Sequence, residues 1–163
     1  YPGPGVSFGR IDQYLYPYWE KSLSRGMNRE FGKEILDISE LNDKRLTVRI
    51  PAESLARMSD FLFNDLKYRF IIASGFHTRK GFEILYHFSY DKTGQIVNLH
   101  VILPQENPEI ESLTRLFSAA EWIEREMYEL LGIKFTGHPN LVKLLSKDNW
   151  PEGSYPYRKD FKA

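Results

Sequence analysis

Residues 82–103 read FEILYHFSY-DKTG-QIVNLHVIL. Two runs of alternating apolar residues, Phe82 to Tyr90 and Ile96 to Leu103, flank Asp91-Lys92-Thr93-Gly94, a strong signal for a hairpin turn. Side chains alternate between faces along a strand. Phe82, Ile84, Tyr86, Phe88 and Tyr90 therefore share one face, as do Val97, Leu99, Val101 and Leu103.

Working outward, Leu55, Met58, Leu62 and Leu66 recur at i, i+3, i+7 and i+11, the apolar stripe of a helix lying on a sheet. Pro51 fits the first helical position, where its missing N–H costs nothing. Ile35–Ile38 and Arg45–Ile50 read as a further hairpin with Asn42-Asp43 at its turn, and Arg69–Phe76 is β-rich. Pro104 ends the sheet, and Pro108 introduces a linker. At the start, residues 1–9 are Pro/Gly-rich and irregular. Ile11, Leu15, Tyr18 and Trp19 then suit one helical face, which Pro17 breaks or restarts. The fold expected is α+β: an antiparallel-rich sheet with helices packed on one side, plus an extended C-terminal arm. It divides into an N-terminal helical lead-in (1–33), an α+β core domain (34–135) and the arm (136–163).

The 163 residues suffice for one domain with extensions. Lys+Arg and Asp+Glu balance at 22 each, which argues against a sequence-independent nucleic-acid binder, since that needs a basic face. A sheet platform for nucleic acid, suggested by the strand aromatics, is disfavoured for the same reason. Aromatic residues make up 15% of the chain, a class enriched where protein meets protein. Cysteine is absent, which excludes disulfides, thiolate nucleophiles and Cys-ligated clusters within this sequence. No apolar run approaches the ~20 residues that span a bilayer. Dinucleotide and P-loop glycine motifs are also missing.

The next helix carries the functional signal. Ser118-x-x-Glu121 reads as a capping box, with Phe117 and Trp122 as the flanking staple. At about 100° per residue, Ala119, Trp122, Ile123, Met127 and Leu130 fall on one face, with Glu121, Glu124 and Tyr128 opposite. Glu121 precedes Arg125 by one turn, the favourable order for a helical ion pair. Gly132 is placed as a left-handed terminator, with Ile133 folding back towards Tyr128. Glu126 falls inside the apolar arc, where an unpaired carboxylate is costly. Arg158, Lys159, His138 or a group on a partner would answer it. Its readings are a structural ion pair, a partner contact or a catalytic carboxylate.

Beyond Thr136 the chain turns irregular, with Pro139, Pro151 and Pro156 precluding a long helix. Yet it carries Leu141, Leu144, Leu145, Trp150, Tyr155, Tyr157 and Phe161. A solvated tail is poor in such groups, so an arm set with aromatic anchors fits the surface of a larger protein. Arg158, Lys159 and Asp160 form a polar clamp at its end.

At these residues the sequence resembles a known family. Glu124-Arg125-Glu126-x-x-Glu129-Leu130-Leu131-Gly132-Ile133, then Gly137-His138-Pro139-x-Leu141, then Arg158-Lys159-Asp160-Phe161, is similar to the signature of the 30-kDa (C) subunit of respiratory complex I. That family includes the equivalent subunit of membrane-bound, energy-converting nickel–iron hydrogenases. Asn140 stands where the family usually has Asp, Val142 where a basic residue is common, and Ser154-Tyr155-Pro156 in place of Gly-His-Pro.

The resemblance implies a non-catalytic structural subunit of a membrane-bound oxidoreductase. It is either the hydrogenase counterpart or the C subunit of NADH:quinone oxidoreductase (NADH dehydrogenase) proper. Such a subunit sits on the cytoplasmic face of the membrane and supports electron transfer coupled to ion translocation. It binds no cofactor itself; iron–sulfur clusters, and nickel–iron or quinone, belong to partner subunits. Its partners are the large catalytic and the iron–sulfur small subunits. The interface implied comprises Glu124, Arg125, Glu126, Glu129, Gly137, His138, Pro139, Leu141, Trp150, Tyr155, Tyr157, Arg158, Lys159, Asp160 and Phe161. Competing readings are a stand-alone acid/base enzyme using Glu126 and His138, and a metal site on His87 and His100.

Overall fold

The computed structural model describes residues 19–42, 44–146 and 150–162. The expected lead-in over 1–9, the residues Ile11, Leu15 and Tyr18, the Pro17 break and Asp43 of the first turn lie outside these residues.

Five strands form the main sheet: β1 (Asp37–Asn42), β2 (Arg45–Arg49), β3 (Arg69–His77), β4 (Phe82–Tyr90) and β5 (Gln95–Leu103), in the order β1-β2-β5-β4-β3. The hairpin read from residues 82–103 is present, with Tyr86 opposite Leu99 and Phe88 opposite Val97. Every residue assigned to its apolar face is buried. β2 runs parallel to β5 while the other pairs are antiparallel, so the sheet is mixed. The reason lies in the connection. After β2 the helical segment crosses the apolar face and delivers the chain to the far edge, where β3 begins. The β3–β4–β5 meander then returns to lie beside β2.

That crossing segment is a 3-10 turn (Ala52–Ser54), helix α2 (Leu55–Asp60) and a π turn (Phe61–Asp65). Leu55, Met58, Leu62 and Leu66 are all buried, as their spacing requires. Pro51 stands one place earlier than expected, at the cap in an extended conformation. Helix α1 (Trp19–Phe31) adds Leu23, Met27 and Phe31 to the same core.

A second, two-stranded sheet pairs β6 (Glu109–Glu111) in parallel with β7 (Lys134–Thr136), and helix α3 (Ala120–Leu131) lies between them in sequence. Helix α3 packs on edge strand β3 at Gly75. A Cβ there would sit 2.8 Å from Met127 Sδ and 3.0 Å from Leu131 Cδ1, so the missing side chain sets the closeness of the contact.

Candidate functional site

Helix α3 starts without the expected box. Ala119 holds the cap position with no side-chain hydrogen bond, and Ser118 contributes only its carbonyl, accepting from Glu121 N–H at 3.2 Å. Phe117 has a better partner than Trp122: it stacks on Phe70 and meets Phe63 and Phe88 edge-on. Trp122 is left 67% exposed.

The face laid on the sheet is Ala120, Glu124, Met127 and Leu131, at i, i+4, i+7 and i+11. The helix is thus turned away from the arc expected of it, and two glutamates exchange roles. Glu126 is exposed, whereas Glu124 is 1% exposed. Glu124 is tolerated there because Ser112 Oγ donates to it at 2.5 Å and Leu113 N–H at 2.7 Å. Burial raises its pKa, and the hydrogen bonds from Ser112 and Leu113 only partly oppose this. The ion pair expected between Glu121 and Arg125 gives way to another use of the arginine.

The opposite face of α3 holds the arm. Arg125 donates from Nε to the Val142 carbonyl and from Nη2 to that of Lys143, both at 2.9 Å. One turn on, Glu129 accepts the N–H groups of Leu144, Leu145 and Ser146 at 2.5–2.7 Å. Burial pushes its pKa up, but the hydrogen bonds from Ser146, Leu145 and Leu144 outweigh it and bring Glu129 down to about 2. Gly137 turns the chain into this path at φ +76°, Pro139 is exposed, and Leu141 is partly buried against the core. His138 is enclosed, with Nε2 directed at the Glu121 carbonyl at 3.0 Å and Nδ1 accepting from Asn140 N–H at 3.0 Å. That pattern requires neutral imidazole protonated on Nε2.

A second anchor closes the C-terminal end of α3. Gly132 adopts φ +75°, the left-handed cap expected of it. Arg158 Nε donates to the Leu131 carbonyl at 2.7 Å and Tyr157 N–H to that of Leu130 at 3.1 Å, filling acceptors that a helix end leaves free. The Arg158 guanidinium lies over the rings of Tyr155 and Phe82, at 4.2 and 4.9 Å. A Cβ on Gly132 would come within 2.5 Å of Arg158 and 2.6 Å of Tyr155, so this glycine supplies space as well as dihedral freedom. Lys159 N–H donates to His77 Nδ1 at 3.2 Å, while Asp160 stands 3.9 Å from the same ring and Phe161 is half-buried. Trp150 Nε1 closes a local turn onto the Ser154 carbonyl.

The arm is therefore not without a bed of its own: its backbone is bound to α3. Several of its apolar side chains are not. Val142 is 49% exposed, Leu145 64%, Trp150 36% and Tyr157 64%. Two of the cations offered for Glu126 are used elsewhere, Arg158 and His138 both being engaged on backbone carbonyls.

Acid/base chemistry on Glu126 and His138 finds no geometry here. Both ring nitrogens of His138 are taken, and its neighbours are Glu121 and Glu124. On the open face of the sheet, His87 bonds Asn98 and Ser74, while His100 bonds Glu83. The two histidines thus take separate partners, and no group of three His, Asp or Glu able to hold a metal occurs among the described residues.

An α+β unit whose arm is strapped to its last helix, with apolar side chains turned outward, is built as a component of something larger. The family profile described as "Respiratory-chain NADH dehydrogenase, 30 Kd subunit" matches residues 48–163, and the chain belongs to that family. The C subunit of the NADH-quinone oxidoreductase of Citrifermentans bemidjiense is 30% identical over 139 residues, covering 83% of this chain and 84% of that protein. A C subunit of the same kind of enzyme from Rhizobium meliloti is 34% identical over 139 residues, covering 82% and 68%.

Among solved structures, a chain of the archaeal membrane-bound sulfane sulfur reductase superposes with a TM-score of 0.78 at 18% identity, covering 88% of this chain and 85% of that one. A trypsin-resistant fragment of Nqo5 does so with a TM-score of 0.60 at 25% identity, covering 73% and 98%. The resemblance seen in the motifs from Glu124 to Phe161 and the α+β expectation both hold. The family is that of a subunit of the respiratory-chain NADH dehydrogenase. No helix among the described residues is long and apolar enough to cross a membrane.

Proposed function

We propose that this chain is a non-catalytic structural and assembly subunit on the cytoplasmic, peripheral arm of a complex I-type oxidoreductase. It docks through α3 and the arm onto the large catalytic and iron–sulfur small subunits. Redox groups reside in those neighbours, and this chain holds none; its lack of cysteine supports that division. By positioning them it supports electron transfer coupled to ion translocation. The names of the similar curated proteins favour the NADH–quinone kind of complex over the membrane-bound hydrogenase kind.

One observation carries the reading. The arm's backbone is fixed to Arg125, Glu129 and the end of α3, yet Val142, Leu145 and Tyr157 face solvent. Ordering a segment costs conformational entropy. Ordering it so that apolar groups point outward makes a preformed docking surface.

Affinity purification from detergent-solubilised membranes, through a tag on this chain, tests the proposal. The large and small subunits are expected to elute with it in equal amounts. Recovery of the chain only as a stable free monomer would overturn it.

A further inference from the structure

Within that surface, one patch specifies the chemistry of what meets it. Trp122 is the largest exposed apolar side chain of α3, at 67% exposure. Arg125 and Glu129 hold residues 142–146 against the same helix, and within that segment Val142 and Leu145 are exposed as well. Glu126, one turn beyond Trp122, is also exposed. Neither nearby cation turns to it: Arg125 is directed at the Val142 and Lys143 carbonyls, and Lys143 Nζ at the Trp150 carbonyl, 3.0 Å away. The patch thus couples an apolar surface to a carboxylate that no side chain answers among the described residues.

We infer that Trp122, Val142, Leu145 and Glu126 form the centre of the docking surface, and that the neighbouring subunit meets them with an apolar slot edged by a lysine or arginine. The inference rests on the docking reading above and adds the partner's chemistry to it. Trp inserts a large rigid surface at little entropic cost, and such anchors sit at interface centres. A carboxylate beside that anchor sets orientation and makes assembly salt-dependent.

The test uses the tagged full chain expressed with its complex, comparing wild type with Trp122→Ala, Glu126→Gln, Glu126→Lys and a control, Leu41→Ala, at an exposed residue of β1 on the sheet edge opposite β3. Retention in the solubilised complex is read against salt concentration, and thermal unfolding of each free chain confirms its folding. Trp122→Ala is expected to weaken retention at least about tenfold, and Leu41→Ala to leave it unchanged. Glu126→Lys should weaken it more than Glu126→Gln, and Glu126→Gln should flatten the salt dependence.

If wild type is retained and the Trp122 and Glu126 variants are retained equally, the patch is not the centre and the inference fails while the docking reading stands. If wild type itself is not retained, the docking reading fails. Binding of the free chain to anionic lipid vesicles, lost in Trp122→Ala, would assign the patch to a membrane surface and overturn the inference.

Discussion

Glu124 and Glu129 are buried on opposite sides of one helix and titrate in opposite directions. Glu129 has a folded pKa of about 2, below the ordinary 4.5. Its stabilisation is therefore fully present above the ordinary value and is lost as pH falls through the lower one. Glu129→Gln keeps the size but removes the charge that gathers three N–H groups. It should cost about 1–3 kcal/mol at neutral pH, read from denaturant midpoints, and the gap to wild type should close as the solution is acidified from about 4.5 to about 2. Glu124 has a raised pKa, chiefly from burial. What it contributes is present below the ordinary carboxylate value and is lost as pH rises through the folded one. Glu124→Gln should thus gain stability relative to wild type as pH rises above the ordinary carboxylate value; a difference that does not change with pH would refute the assignment. Neither role was legible in a helical wheel. The donors for Glu124 lie upstream at Ser112 and Leu113, and those for Glu129 downstream at 144–146. The spacing of Ala120, Met127 and Leu131 marks a second apolar arc around Glu124 but does not say which arc faces the sheet.

At the scale of elements, the strands and the Leu55–Leu66 stripe followed from periodicity because each buries one face against one core. The left-handed cap at Gly132 followed from glycine's freedom there. Helix α3 was misoriented because it is covered on two sides, by β3 and by the arm, so burial no longer tracks apolarity alone. Its seat on the sheet depends on Gly75. Gly75→Val would press on Met127 and Leu131 and should cost about 1–3 kcal/mol by overpacking. Hydrogen exchange should show protection lost across 120–131 while β4 and β5 keep theirs. Uniform loss across the sheet would mean that α3 is not a separable layer.

For the whole molecule, the arm adds little to the core beyond Leu141. A chain ending at Thr136 is expected to keep its sheet, with the C-terminal turn of α3 frayed, because Arg158 and Tyr157 no longer fill the Leu131 and Leu130 carbonyls. Far-UV circular dichroism should change little, and retention in the complex should be abolished. The sequence by itself determined the α+β class, the strand faces, the α2 stripe and, through the motifs between Glu124 and Phe161, the family. These are local patterns, set by side-chain alternation, helical spacing and short-range motifs. Only the tertiary structure decided that β2 lies parallel to β5, that Glu124 and not Glu126 is buried, and that the arm's backbone is bound while Val142, Leu145 and Tyr157 are left exposed. Each of those depends on which groups distant in sequence meet as donor and acceptor, and no local spacing encodes that.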